Sequence, residues 1–213
     1  MAGALALLLS VAPPTLGAEP SPSTAPWAYA DGATLQSALA KEEITAEALL
    51  ETLRVRIGAL NENGPTLRAV RALNPEAGTA AAASDARRRD GASLGPLDGL
   101  PVLVKDNIET RDPLATTAGS RALLDNYAQE DAPVVAALRA QGAVILGKTN
   151  LSQWANFRSN DSVSGWSSVG GQVRNPHVLD RSPCGSSSGS GAAVAAGLAP
   201  LALGTETNGS IIC

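Results

Sequence analysis

A lysine closes an apolar run, Leu100-Pro101-Val102-Leu103-Val104-Lys105, and two serine-bearing loops follow far along the chain, Cys184-Gly-Ser-Ser-Ser-Gly-Ser-Gly191 and Thr207-Asn208-Gly209-Ser210. A serine hydroxyl attacks a carbonyl poorly unless a neighbouring base takes its proton, and lysine is a base only when uncharged. Burial at the end of an apolar strand disfavours the ammonium form; moving a lysine from about 10.4 towards 7 costs about 4 to 5 kcal/mol, within the reach of desolvation. Other devices compete for the first loop. A P-loop needs a lysine after its glycines, whereas Gly191 runs into Ala192-Ala193-Val194. A nucleophile elbow is formally matched by Gly185 to Gly189 around Ser187, but the segment from Asn175 to Pro183 reads as a loop, not a strand. The histidine such a triad places after its serine is also missing, because the one histidine, His177, precedes it. A merely flexible Gly-Ser loop sits badly beside the small-residue helix expected from Gly189 to Leu198, which could pack backbone against backbone. Lys105 alone would be a surface lysine at a strand end. Its company of two serine loops and no usable histidine points to a Ser-Ser-Lys hydrolase.

Composition narrows the partners. Sixteen Lys and Arg against 20 Asp and Glu give a net charge of -4, so a phosphate backbone held by excess positive charge is excluded and no nucleic-acid partner is expected. One histidine and two cysteines do not make a zinc site of the usual kind. With 44% apolar and 17% charged residues the chain falls among ordinary soluble domains.

The elements that must carry these side chains follow from periodicity. Apolar residues at helical spacing predict helices over 34–40 and 45–60, the second capped by Thr45. Asn74-Pro75-Glu76 predicts the start of a third helix reaching Arg89, with Asp85 and Arg89 paired four apart and Arg87-Arg88-Arg89 as a solvated C-terminus. Leu100–Val104 and Ala143–Leu146 read as strands buried on both faces, joined by a helix that Asp131 and Pro133 open. Strand, helix, strand predicts an α/β sheet. Asn150 and Gln153 form a capping-box pattern that predicts another helix carrying Trp154 and Phe157, which makes Gln153 structural. Trp154, Phe157 and Trp166 are expected in the core, with Trp166 the one candidate for a substrate pocket. His177 is expected to be exposed.

The chain resembles the amidase signature family, through Gly99-Leu-Pro-Val-Leu-Val-Lys-Asp-Asn107, Gly147-Lys-Thr-Asn150 and the stretch from Gly185 to Ile211. A lysine, two Gly-Ser loops and the helix between them stand in the family's order and spacing. Leu151 to Ser159 and Gly165 to Gly171 look most like its peptide-amidase branch. The resemblance implies an α/β/α sandwich around a central mixed sheet, incomplete here, with no metal or organic cofactor. It implies Ser210 as nucleophile, Ser186 as a bridging serine preceded by a cis peptide bond, and Lys105 as base. Backbone N–H groups of Thr207, Asn208, Gly209 and Ser210 would form the oxyanion hole. Asn208 stands where glycine or aspartate is usual, and Gln153 where glutamate is more frequent. The implied activity is hydrolysis of a small-molecule or peptide carboxamide through an acyl-enzyme, with no membrane partner. An inactive truncated fragment, and a component of an assembly passing ammonia to glutamyl-tRNA if the chain is not exported, remain the alternatives. If Ser186 and Ser210 meet, Cys184 and Cys213 come near each other; two packed free thiols are expected, with a disulfide the alternative.

The ends complete the organisation. The apolar run Ala4 to Ala12, followed by Leu16-Gly17-Ala18, predicts a secretory signal over 1–18 and a secreted or periplasmic protein. A polar, Pro-rich linker is expected over 19–30 and the amidase signature domain over 31–213. The apolar end at Ile211-Ile212-Cys213 predicts a strand cut off in mid-sheet and hence a truncated chain.

Overall fold

The computed structural model describes residues 27–213; the expected signal segment lies outside them, as does most of the expected linker. The last linker residues, 27–30, are part of the packed domain. Trp27 and Ala30 pack on the core, Ala28 is buried, and the Tyr29 hydroxyl accepts from the buried Arg56 guanidinium at 2.6 Å.

Helix α1 (Gly32–Ala40) starts at Asp31, whose carboxylate accepts the Thr34 N–H. Helix α2 (Ala46–Ile57) starts at Thr45 as expected and runs into a π-helical turn, Gly58–Glu62. Its stripe of Leu49, Leu50, Leu53 and Ile57 is buried. The third helix, α3 (Ala77–Arg89), begins later than the Asn74-Pro75 signal predicts. The Asn74 side chain is used to accept the Glu76 N–H and to donate to the Ile145 carbonyl. The Asp85–Arg89 pair does not form, because Asp85 is buried and its two oxygens accept the N–H groups of Ala46 and Glu47, capping α2 from outside. Nor is the arginine run simply solvated. Arg87 pairs with the buried Asp98 at 2.6 Å, and Arg88 donates to the Asp98 carbonyl.

Strands β1 (Val70–Leu73), β2 (Pro101–Lys105), β3 (Val144–Thr149) and β6 (Leu201–Leu203) form one sheet in the order β1-β3-β2-β6. The sheet is mixed, since β1 runs antiparallel to β3 while β3, β2 and β6 are parallel. Every residue of β2 and β3 is buried, as continuous apolar strands require. Helix α4 (Pro133–Ala140) places Val135 against Val104 and Ile145 on one face. Leu103 looks to the other face, into the larger core with α1, α2, α3 and helix α5 (Ser188–Ala195). This is the α/β/α layering expected. Two-residue strands β4 (Trp166–Ser167) and β5 (Gly171–Gln172) make a separate small ladder.

Helix α5 sits close to the sheet because it begins with small residues. The Gly189 N–H donates to the Asn150 carbonyl at 3.0 Å, and a Cβ at Gly189 would overlap the carbonyl oxygens of Ala69 and Asn150. The helix predicted to follow Asn150 does not form. Gln153–Asn156 is a short 3-10 segment with Trp154, Ala155 and Asn156 all at positive φ, and Asn150 instead binds Arg68, Gly171 and Ser167. The expected core aromatics are correspondingly outside it: Phe157 is 93% exposed, Trp166 is 45% exposed and Trp154 is half-buried. The last residues form a turn rather than a cut strand, with Ile211 and Ile212 exposed. Among the described residues, no helix is long and apolar enough to cross a membrane.

Candidate active site

Alternation along β2 puts Lys105 on the same face as Leu103, at the strand's carboxyl end, where open α/β sheets hold their sites. The loop leading into α5 arrives on that face, and β6, hydrogen-bonded beside β2, delivers Thr205 just beyond its own end. Lys105 is completely buried. Its Nζ donates to Ser186 Oγ at 2.8 Å, Ser187 Oγ at 2.9 Å, Thr205 Oγ1 at 2.8 Å and the Thr205 carbonyl at 3.1 Å. No carboxylate is among these partners, and burial pulls the lysine down from 10.5 to about 8. The Gly185–Ser186 peptide bond is cis.

Ser210 approaches through its backbone. Its carbonyl accepts the Ser187 N–H at 3.0 Å, while no hydrogen bond joins Ser210 Oγ to Ser186 or Lys105 among the described residues. Lys105 and Ser186 are therefore in contact, and Ser210 reaches the neighbouring Ser187 through its carbonyl. Of the expected oxyanion donors, Thr207 and Asn208 are exposed and the Gly209 N–H is engaged by Glu206 at 3.0 Å. The same carboxylate accepts from Ile211 at 2.7 Å and Ile212 at 2.8 Å, and these backbone bonds hold Glu206 below its usual carboxylate range. Cys184 and Cys213, expected as free thiols, are joined in a disulfide, because the turn after Ser210 brings their Cα atoms to 6.0 Å.

Two features escaped the sequence reading. Ser187 and Thr205 hold Lys105 and each other, with the Ser187 hydroxyl donating to the Thr205 carbonyl at 3.1 Å and Asn107 Nδ2 donating to Thr205 Oγ1 at 3.0 Å. The polar residues following each strand end were the available signal. The second is a buried ionic cluster on the opposite face of the sheet. There Lys148 Nζ donates to the Ile108 carbonyl and Thr116 Oγ1, and burial lowers it to about 8. Asp106 pairs with Arg71 at 2.7 Å and accepts from Thr117, yet burial still raises its pKa.

Trp166 borders a cavity of about 510 Å³ lined also by Trp154, Asn156, Arg158 and Val163. Lys105, Ser186 and Ser210 are not among its walls. Ser152, the residue before Gln153 of its wall, donates its N–H to the Ser186 carbonyl and accepts from the Gly165 N–H with its hydroxyl. His177 is exposed, and among the described residues no group of three His, Cys, Asp or Glu could hold a metal.

A mixed α/β sheet with a buried lysine against serine hydroxyls at its carboxyl edge defines a class of layered α/β proteins built around a lysine–serine pair. Residues 48–213 match the Amidase family, and the chain belongs to that family, the amidase signature proteins. It is similar to the native peptide amidase of Stenotrophomonas maltophilia, with 55% identity, a TM-score of 0.86 and coverage of 89% of this chain and 38% of that one. An amidase family protein of Bacillus anthracis aligns at 41% identity and a TM-score of 0.82, over 86% of this chain and 36% of that one. A glutamyl-tRNA(Gln) amidotransferase component from Chloroflexus aurantiacus is 47% identical over 83% of this chain and 34% of its own length. The chain thus spans about a third of the length of the curated relatives it matches.

Proposed function

We propose that the whole protein hydrolyses carboxamides through an acyl-enzyme on Ser210, with Ser186 as proton relay and Lys105 as base, and that peptide amides are its substrates. The observation that carries the reading is the 2.8 Å contact between Ser186 Oγ and a fully buried Lys105 Nζ that no carboxylate neutralises. In its neutral form the amine accepts the Ser186 hydroxyl proton, and Ser186 in turn accepts the proton of Ser210 as that oxygen attacks the carbonyl carbon. The tetrahedral oxyanion faces backbone N–H groups of the 207–210 loop, which requires the Gly209 N–H to leave Glu206. Collapse returns the proton to the departing nitrogen, releasing ammonia or an amine. Water then cleaves the ester by the same relay.

The peptide-amide assignment is supported by the 55% identity to a peptide amidase that binds the competitive inhibitor chymostatin. The Cys184–Cys213 disulfide supports a secreted or periplasmic setting, since such bonds persist in oxidising compartments. The test is labelling of the complete gene product with a fluorophosphonate, which forms a Ser–O–P bond with loss of fluoride. The label is expected on Ser210, and it is lost in Ser210→Ala and strongly slowed in Lys105→Ala. Labelling that persists in Ser210→Ala would reject the nucleophile, and unchanged turnover in Lys105→Ala would reject the base.

A further inference from the structure

The Ser210 turn carries a covalent link to the Ser186 loop. Thr205 is tied to Lys105 and Ser187, and the chain then runs through Glu206, Thr207 and Asn208 to Ile211, Ile212 and Cys213. Between them the chain makes one helical turn, closed by the Cys213 N–H donating to the Gly209 carbonyl at 2.9 Å and capped at its start by Glu206. Those bonds fix the turn's shape but not its place. Among the described residues, the turn itself meets the Ser186 loop through the hydrogen bond from the Ser187 N–H to the Ser210 carbonyl and through the disulfide. One sulfur belongs to Cys184, two residues before Ser186, and the other to Cys213, three residues after Ser210. The bond therefore spans the same gap that a proton must cross between the two serine hydroxyls.

We infer that the Cys184–Cys213 disulfide is a positioning link that holds the Ser210 turn against the Ser186 loop, and that opening it slows acylation while leaving substrate binding largely intact. The inference rests on the reading of Ser210 as nucleophile. A misplacement of about 1 Å between reacting groups typically costs about a hundredfold in rate. A dithiol can open the bond, its two thiols giving up two protons and two electrons and pairing with each other as the S–S bond becomes two thiols.

The experiment compares the complete gene product in its oxidised form, after dithiothreitol, and after removal of the reductant and reoxidation. Cys184→Ser, Cys213→Ser and the double variant run in parallel, with circular dichroism as the check on folding and alkylation with mass spectrometry as the check on thiol state. The expected result is a fall of about ten- to a hundredfold in kcat and in the fluorophosphonate labelling rate on reduction. KM should change less than about twofold, reoxidation should restore the rate, and the variants should be slow and indifferent to the dithiol. A kcat within about twofold of the oxidised value once free thiols are demonstrated overturns the inference. A loss that reoxidation does not reverse overturns it as well. Should the variants fail to fold, the reversible dithiol cycle on the unaltered protein decides alone. Peptide mapping separates the two claims: a label absent from Ser210 removes the nucleophile reading, whereas a label on Ser210 at equal rates in both redox states removes only the positioning role.

Discussion

Raising the pH from 7 to 9 is the perturbation that addresses Lys105 most directly, because it removes the proton of the proposed base without a substitution; Lys148, on the opposite face of the sheet, titrates over the same interval, and Lys148→Met separates the two. With the amine at about 8, about one lysine in eleven is neutral at pH 7 and about ten in eleven at pH 9. The acylation rate should therefore rise about tenfold over that interval and level off above pH 9. An ordinary lysine at about 10.5 would give a rise of about a hundredfold, still climbing at pH 9, from a far smaller neutral fraction at pH 7. The difference between the two cases is about 3 kcal/mol of preference for the uncharged amine, supplied by burial with no carboxylate opposing it. The assay is the single-turnover rate of fluorophosphonate labelling of the complete gene product, with ammonia release from a peptide amide as the steady-state counterpart. A rate that is flat from pH 7 to 9, or one still rising in proportion to hydroxide at pH 10, would refute the argument that a desolvated lysine is the base.

Two further predictions concern the scaffold. Gly189→Ala should destabilise the protein by about 1 to 3 kcal/mol, read as a lower urea midpoint, because the added methyl meets backbone carbonyls that cannot swing aside; an unchanged midpoint would show that α5 is free to lift off the sheet. Asp106→Ala should cost about 3 to 5 kcal/mol by the same measurement, since it strands Arg71 with no carboxylate at 2.7 Å in a mostly buried site; a loss under about 1 kcal/mol would mean water already solvates that guanidinium.

Much of this was legible because it depends on short-range pattern. The continuous apolar run before Lys105 could only be a strand buried on both faces, and its end was the place for a desolvated amine. Thr45 capped its helix through a local hydrogen bond that the tertiary fold had no reason to override. The failures share a different physics. Asp85 forsook Arg89, four residues on, for two N–H groups at the start of another helix, since a buried carboxylate gains more from unsatisfied backbone donors than from an exposed ion pair. Asn150 was drawn from capping into bonds to Arg68, Gly171 and Ser167, and the predicted helix after it gave way to left-handed backbone.

The residue types by themselves pointed to a lysine acting together with two serine loops and to the family the chain belongs to. Only the tertiary structure decided that Ser187 and Thr205 share in holding the amine, that Glu206 engages the Gly209 N–H, and that two cysteines close into a bond. The contacts of Ser187 and Thr205 with the amine and the Cys184–Cys213 bond join segments brought together by the parallel pairing of β6 with β2 and the docking of α5, and no local periodicity encodes a distance between such segments; the Glu206 contact spans only three residues but needs the turn that follows β6.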